Sequence, residues 1–451
     1  MTDRPLHVEF PARAARVDAV LYNPGMGVPR VVILGGGFGG LNAAKALRKA
    51  PVDVLLVDRR NHHLFQPLLY QVATAALNPS DIATPIRRIL RHQSNAEVVL
   101  GDATAVDVLR RRLVLRDGEV PYDFLVIATG ATHAYFGHPE WEPDAPGLKT
   151  LEDAVQIRRR VLVAYEAAER EDDPALQQEW LTFVVVGGGP TGVELAGALV
   201  EISRHVLTRD FRRIDPRKAR VVLIEAGPRI LPAYLPELSE RAAERLRRMG
   251  CEVELGTPVT RVDAEGVWFG DRRIRSRCVI WAAGVAPSPI ARSLNVPLDR
   301  VGRVKVEPDL SIPGAPEVFV IGDLAAANDR EGKPLPGLAP VAIQGGRHVA
   351  RQIVRTLRGE PREPFHYFDK GTLATIGRNA AVAQIGPLRS VGFFAWLVWL
   401  LVHILMLIGF RNRFLVLAEW AWIYFRYERG ARLITGSVPE LLSPPKARTA
   451  E

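Results

Sequence analysis

The feature that most constrains this chain occurs twice. Gly35-Gly36-Gly37-Phe38-Gly39-Gly40 follows the apolar run Val31-Val32-Ile33-Leu34, and Gly187-Gly188-Gly189-Pro190-Thr191-Gly192 follows Phe183-Val184-Val185-Val186. Both fit G-x-G-x-x-G between a strand and a helix. The first glycine permits a tight turn, the second lets the backbone approach a pyrophosphate, and the third lets helix and strand pack closely. The pyrophosphate then meets the unsatisfied N–H groups and the positive end of the helix. One copy predicts one dinucleotide. Two copies predict that a single chain holds two, the layout for passing electrons from one to the other.

Each following strand closes on an acid. Asp53-Val54-Leu55-Leu56-Val57 ends at Asp58, and Val221-Val222-Leu223-Ile224 ends at Glu225 after a basic insertion running from Arg204 to Arg220. A carboxylate in that position accepts hydrogen bonds from a ribose diol. At the second loop it would also repel a 2′-phosphate, so NADH is expected there rather than NADPH. The pattern predicts an α/β fold of two Rossmann-like dinucleotide-binding domains, the second inserted in the first. The expected boundaries are an extension over 1–28, a discontinuous first domain over 29–150 and 286–385, a second domain over 151–285, membrane-anchoring helices over 386–435 and a tail over 436–451. Helices are expected from about 39 to 49, 151 to 172, 191 onward and 338 to 357.

A length of 451 residues, 47% hydrophobic and 24% charged, suits a globular protein of two or three domains. The net charge of +9 favours anionic partners, nucleotides and acidic lipid headgroups among them, or simply reflects a general abundance of arginine. No segment reads as a nucleic-acid site. There are two cysteines, Cys251 and Cys278, with no C-x-x-C and no metal-type Cys/His spacing, so no metal is expected. His62 and His63 are adjacent and would point apart, which suits loop hydrogen bonding better than a metal pair.

The character changes at Val391. Nineteen residues to Gly409 carry one ionisable group, His403, and Phe414 to Phe425 carries one charge, Glu419. A helix over the first run would be roughly 28 Å long, near the thickness of a bilayer core. Arg411, Arg413, Arg426, Arg429 and Arg432 follow it, against Arg378 and Arg389 before it. The positive-inside tendency would then place the C-terminus in the cytoplasm. A single span would strand the nucleotide domains on the opposite side, away from NADH. A monotopic anchor is therefore expected on the cytoplasmic face of the inner membrane, with Trp396, Trp399, Trp420, Trp422 and Tyr424 at headgroup depth. A hydropathy scale would still score 391–409 as transmembrane, and a core helix or a homodimer interface is the other use of such a segment.

Taken together, the chain resembles the two-dinucleotide-binding-domain flavoproteins and, among them, the type II NADH dehydrogenases, the non-pumping NADH:quinone oxidoreductases. Glu317-Val318-Phe319-Val320-Ile321-Gly322-Asp323 matches their second flavin motif. Phe124-Leu125-Val126-Ile127-Ala128-Thr129-Gly130 and Val279-Ile280-Trp281-Ala282-Ala283-Gly284 match their strand-to-crossover segments. Asn61 to Ala73, with His62-His63-Leu64-Phe65-Gln66-Pro67-Leu68-Leu69-Tyr70-Gln71 within it, matches the segment that borders the flavin in that family. The resemblance implies FAD at Gly35, Gly37, Phe38, Gly39, Gly40, Asp58, Thr129, Gly130, Gly322 and Asp323. It implies NADH at Gly187, Gly189, Thr191, Gly192, Glu225 and Gly284.

Two residues are implied in catalysis. Glu194, in Gly192-Val193-Glu194, corresponds to a family glutamate between nicotinamide and flavin. Gln344, in Ala339-Pro340-Val341-Ala342-Ile343-Gln344-Gly345, corresponds to the second of two family glutamines near quinone; Pro340 stands where the first is expected. Glu194 also suits the positive end of its helix, and Gln344 also suits an exposed helix face. The activity implied is electron transfer from NADH through FAD to a membrane quinone. Another NADH-dependent flavin reductase, or a non-enzymatic redox sensor or NADH-binding partner protein, is the alternative. Disulfide reductases and sulfide:quinone oxidoreductases need reactive cysteines, which Cys251 and Cys278 do not resemble.

Overall fold

The computed structural model describes residues 27–426 and 429–435. The expected extension over 1–28 and tail over 436–451 therefore lie almost wholly outside the described residues. The chain divides into two compact units. One comprises the residues up to 63 together with 85–131 and 287–368, and the other comprises 64–84, 132–286 and the residues from 369.

The first unit is built on a six-stranded sheet in the order Ser311–Ile312, Ala315–Val320, Phe124–Ile127, Arg30–Leu34, Asp53–Asp58 and Ala96–Leu100. Five strands run parallel, and only the short edge strand Ser311–Ile312 is antiparallel to its neighbour. Val31, Val32 and Ile33 are wholly buried, as expected for a parallel sheet covered on both faces. Each such side chain contributes about 1.5–3 kcal/mol through burial. Helix Phe38–Ala46 leaves the first glycine loop and packs on helix Ala339–Leu357. Gly346 makes that approach feasible: a Cβ there would lie 2.2 Å from the carbonyl oxygen of Gly39.

The second unit repeats the plan with four parallel strands in the order Cys251–Glu254, Arg220–Ile224, Thr182–Val186 and Cys278–Trp281. Helix Pro190–Glu201 follows its glycine loop, with Pro190 at the start, where a missing N–H costs nothing. The charged helix expected over 151–172 is Leu151–Arg170. It opens on a capping box in which Thr150 and Asp153 satisfy each other's backbone N–H groups. An antiparallel sheet of Thr372–Thr375, Ala381–Ile385 and Leu388–Gly392 then leads into helices Phe393–Met406 and Phe410–Arg426.

The apolar run does not become one helix. Val391 and Gly392 pair with Val382 and Ala381 in the sheet, so the helix begins at Phe393 and holds 14 residues. At 1.5 Å per residue that is about 21 Å, well short of the hydrocarbon core. Among the described residues no helix is long and apolar enough to cross a membrane. The scoring of 391–409 as a transmembrane segment is thus corrected: strand pairing claims its first two residues, and Arg413 donates to the carbonyls of Leu405 and Leu407 where the helix ends.

Candidate active site

The first glycine loop is shaped by what a side chain would strike. Gly35 has φ +104°, and a Cβ there would lie 2.5 Å from the carbonyl oxygen of Ala128; at Gly40 it would lie 1.9 Å from that of Gly35. Gly37, which caps the helix, faces open space, leaving the first helical N–H groups accessible to an anion. Asp58 is held by two backbone donors, Gly36 N–H at 2.5 Å and Arg60 N–H at 2.7 Å.

Two buried polar atoms beside this loop have no hydrogen-bond partner among the described residues, Thr129 Oγ1 and His63 Nε2. Burial lowers the His63 imidazole to about 4, so it is neutral and its Nδ1–H donates to the carbonyl of Gly36 at 2.9 Å. Its ring stands edge-on to Phe38. The neighbouring His62 bonds Asn61 instead. Uncompensated buried polar atoms are costly, and a flavin dinucleotide with its carbonyls, ring nitrogens and hydroxyls would satisfy them. Gly130 lies close by in chain with φ +65°. Asp323 sits in the turn Gly322–Leu324, where Gly322 has φ +70° and a Cβ on Gly337 would lie 3.3 Å from the carboxylate.

The second loop uses the same device. Gly187 has φ +111° and would meet the carbonyl of Ala282 at 2.5 Å; Gly192 would meet that of Gly187 at 1.8 Å; Gly189 faces open space. Glu225 accepts from Gly188 N–H and Gly227 N–H, both at 2.6 Å. Thr191 is exposed in the first helical turn. Gly284 lies beneath the exposed ring of Phe136, which a Cβ would approach to 2.7 Å. Phe136 carries no sequence motif, and its place beside Gly284 comes from the fold alone.

Glu194 is buried rather than displayed at a helix end, with 8% exposure. The backbone N–H of Thr375 donates to its Oε1 at 3.3 Å. Burial pushes the carboxyl up to about 8, against hydrogen bonds that favour the anion. It is therefore a carboxyl that can hold or release a proton near neutral pH. Gln344 behaves differently: its amide donates to the carbonyl of Phe368 at 2.9 Å and accepts from the Phe368 N–H at 3.0 Å. Both ends of the amide are thus engaged by one backbone residue. Pro340 lies in the first turn of its helix, where proline is tolerated and glutamine confers no helical advantage.

Around the C-terminal helices the aromatic residues divide. Trp399 is 2% exposed, its ring stacked on His403 and tilted against Trp420, whereas Phe394, Leu401, Trp422 and Phe425 are exposed. The expectation of five aromatic residues at headgroup depth is therefore corrected for Trp399, which packs inward with Ala395. Cys251 and Cys278 are buried strand residues whose thiols burial pushes up to about 12. Neither is a nucleophile in that state.

Residues 29–346 match the family model of the pyridine nucleotide-disulphide oxidoreductases, and residues 369–426 match that of the NDH2 C-terminal domain. The type II NADH:quinone oxidoreductase Ndh of Mycobacterium tuberculosis (strain ATCC 25618 / H37Rv) is 48% identical over 422 residues, covering 90% of each chain. NdhA of the same organism, with the same description, is 46% identical over 427 residues, 91% of this chain and 90% of its own. Among solved structures, NDH2 from Plasmodium falciparum in complex with NADH superposes with a TM-score of 0.82 at 20% identity, over 90% of this chain and all of that one.

Proposed function

The chain belongs to the type II NADH:quinone oxidoreductases, and from that premise we propose that it oxidises NADH and reduces a membrane quinone, with a flavin between them and no proton pumping. The observation that carries this reading is the pair of open glycine loops, each backed by an acid bonded to its own loop. A flavin held there would supply the two-electron redox chemistry that joins nicotinamide to quinone.

We assign FAD rather than FMN to the first loop, because the open helix end at Gly37 suits a pyrophosphate, which FMN lacks. Gly35, Gly40, Asp58, Thr129, Gly130 and Asp323 would hold it, within a domain formed by 29–150 and 286–385. Gly187, Gly189, Gly192 and Glu225 would hold NADH within 151–285. Glu225 would accept from the ribose hydroxyls and exclude a 2′-phosphate. The Glu194 carboxyl would hold a proton beside the reacting groups. Gln344 would serve quinone either by exchanging its bonds to Phe368 or by fixing the exposed Phe368 ring.

Membrane attachment follows from apolar side chains on two short helices. Phe393, Phe394, Leu397, Leu401 and Leu405 are exposed on one and Phe414, Leu417, Trp422 and Phe425 on the other. We assign these faces to a monotopic anchor on the cytoplasmic side, where NADH is found. Exposed Arg411 and Arg426 would meet anionic headgroups. Use of the same faces in a homodimer is the rival arrangement. The deciding experiment is steady NADH turnover by the full chain in sealed vesicles with a quinone panel, followed with a pH-sensitive dye inside. Quinone-dependent turnover without a pH gradient supports the reading. Absence of turnover in a preparation that retains flavin would reduce the protein to a redox sensor.

A further inference from the structure

A run of hydrogen bonds, all but the first fully buried, links the second anchor helix to Glu194. The indole N–H of Trp420 donates to Gln71 Oε1 at 2.7 Å. Gln71 Nε2 donates to the Tyr70 hydroxyl at 3.0 Å, and that hydroxyl lies 3.2 Å from Thr375 Oγ1. Thr375 in turn donates its backbone N–H to the Glu194 carboxyl at 3.3 Å, and its hydroxyl lies close enough to favour the anion. Tyr70, Gln71, Thr375 and Glu194 are each at most 9% exposed, so water does not compete for the bonds among them.

The direction of the chain follows from one residue. An indole only donates, so the carbonyl of Gln71 must face Trp420 and its NH₂ must face Tyr70. The Tyr70 oxygen then accepts, and its own proton is free for Thr375. The Thr375 hydroxyl, having accepted, keeps its own proton free beside the Glu194 carboxyl. We propose that Trp420 is a positioning residue of the reaction: its indole sets the direction of this chain, so that the seating of the anchor helix governs when Glu194 holds its proton. The proposal rests on the reading that Glu194 acts beside the reacting groups.

Two other titratable side chains, Tyr70 and Tyr234, feel the Glu194 charge. Burial holds Tyr70 and Tyr234 as phenols and His403 as a neutral ring. Glu201, at the far end of the same helix, is paired with Arg429 at 3.2 Å and accepts from the Arg378 backbone. Trp399 lies close enough to favour the Glu194 anion, although its buried N–H reaches no acceptor at hydrogen-bond geometry among the described residues.

The test is an infrared titration of the protonated carboxyl C=O band of the flavin-loaded full chain in vesicles, read beside the pH profile of turnover. Glu194→Gln identifies the band. Trp420→Phe keeps the ring and removes the donor, and Gln71→Met removes the amide. Each should shift the midpoint upward by about half a unit to one unit, the worth of one hydrogen bond. The turnover profile should shift in parallel. In a Glu194→Gln background Trp420→Phe should shift nothing. An unmoved midpoint in both single variants overturns the chain while leaving Glu194 in place. A carboxyl that titrates as described but leaves the turnover profile of Glu194→Gln unchanged overturns the underlying reading instead. Should Trp420→Phe fail to fold, Gln71→Met decides alone.

Discussion

The two glycine loops use one backbone device in two different settings. In both, the first glycine takes a left-handed conformation, the last would strike the first loop carbonyl, and a strand-end acid is bonded to the loop. Around the first loop, Thr129 Oγ1 and His63 Nε2 are buried without partners among the described residues. The second has no such atom among its described residues, and Pro190 and Thr191 stand in solvent. The helices differ at the matching position too: two residues past the last glycine, the first carries Asn42, bonded back to Phe38, and the second carries the buried Glu194. An environment with unmet polar atoms suits a group that stays bound. An open one suits a nucleotide that must leave each cycle.

The sharpest break in that comparison should come from one methyl group placed in each loop. Gly40→Ala brings a Cβ within 1.9 Å of the Gly35 oxygen and should yield protein without flavin, read as absorbance per chain. Gly192→Ala, with a clash of 1.8 Å, should retain its flavin colour and lose reduction by NADH. Loss of flavin from both variants would mean that the loops do not divide the work.

Next in size is Glu225→Ser, which removes two backbone hydrogen bonds as well as the charge. The ratio of kcat/KM for NADH over NADPH should fall roughly tenfold or more, the worth of a charge-assisted hydrogen bond. Equal use of both nucleotides by the unaltered chain would refute the role.

A pH effect should separate the two helices. The Glu194 carboxyl lies at about 8 in the fold against 4.5 ordinarily, because of burial. Between those values the unfolded chain is ionised there and the native chain is not, so stability falls by roughly 1.4 kcal/mol for each pH unit climbed. Glu194→Gln should flatten this decline, and its melting temperature should gain on that of the unaltered chain as pH rises. Asn42→Asp, on the half-buried face of the first helix, should not reproduce such a slope.

The smallest effect is expected at the unmet hydroxyl. Thr129→Val should weaken flavin retention by about 0.5–1.5 kcal/mol, or roughly two- to thirteen-fold, measured as flavin released on dilution. Thr191→Val should leave flavin retention untouched and alter only the KM for NADH.

Features of local geometry are legible in contiguous residues. A glycine loop between an apolar strand and a helix is a contiguous pattern, and an acid at the end of the next strand is read from the same short stretch. The two loops, Asp58, Glu225 and the turn at Gly322 were legible for that reason. Tertiary structure decided whatever depends on partners distant in sequence. Gln344 is engaged by Phe368 because the chain returns beside its helix. Val391 leaves the apolar run because a strand pairs with it. Trp399 and Trp422, alike in sequence context, are separated by packing into a buried ring and an exposed one. The hydrogen bonds from Trp420 to Glu194 pass through residues 71, 70 and 375, and no sequence period encodes them. A dinucleotide loop is specified by the backbone of one segment, whereas a proton's resting place depends on burial and donors supplied by four.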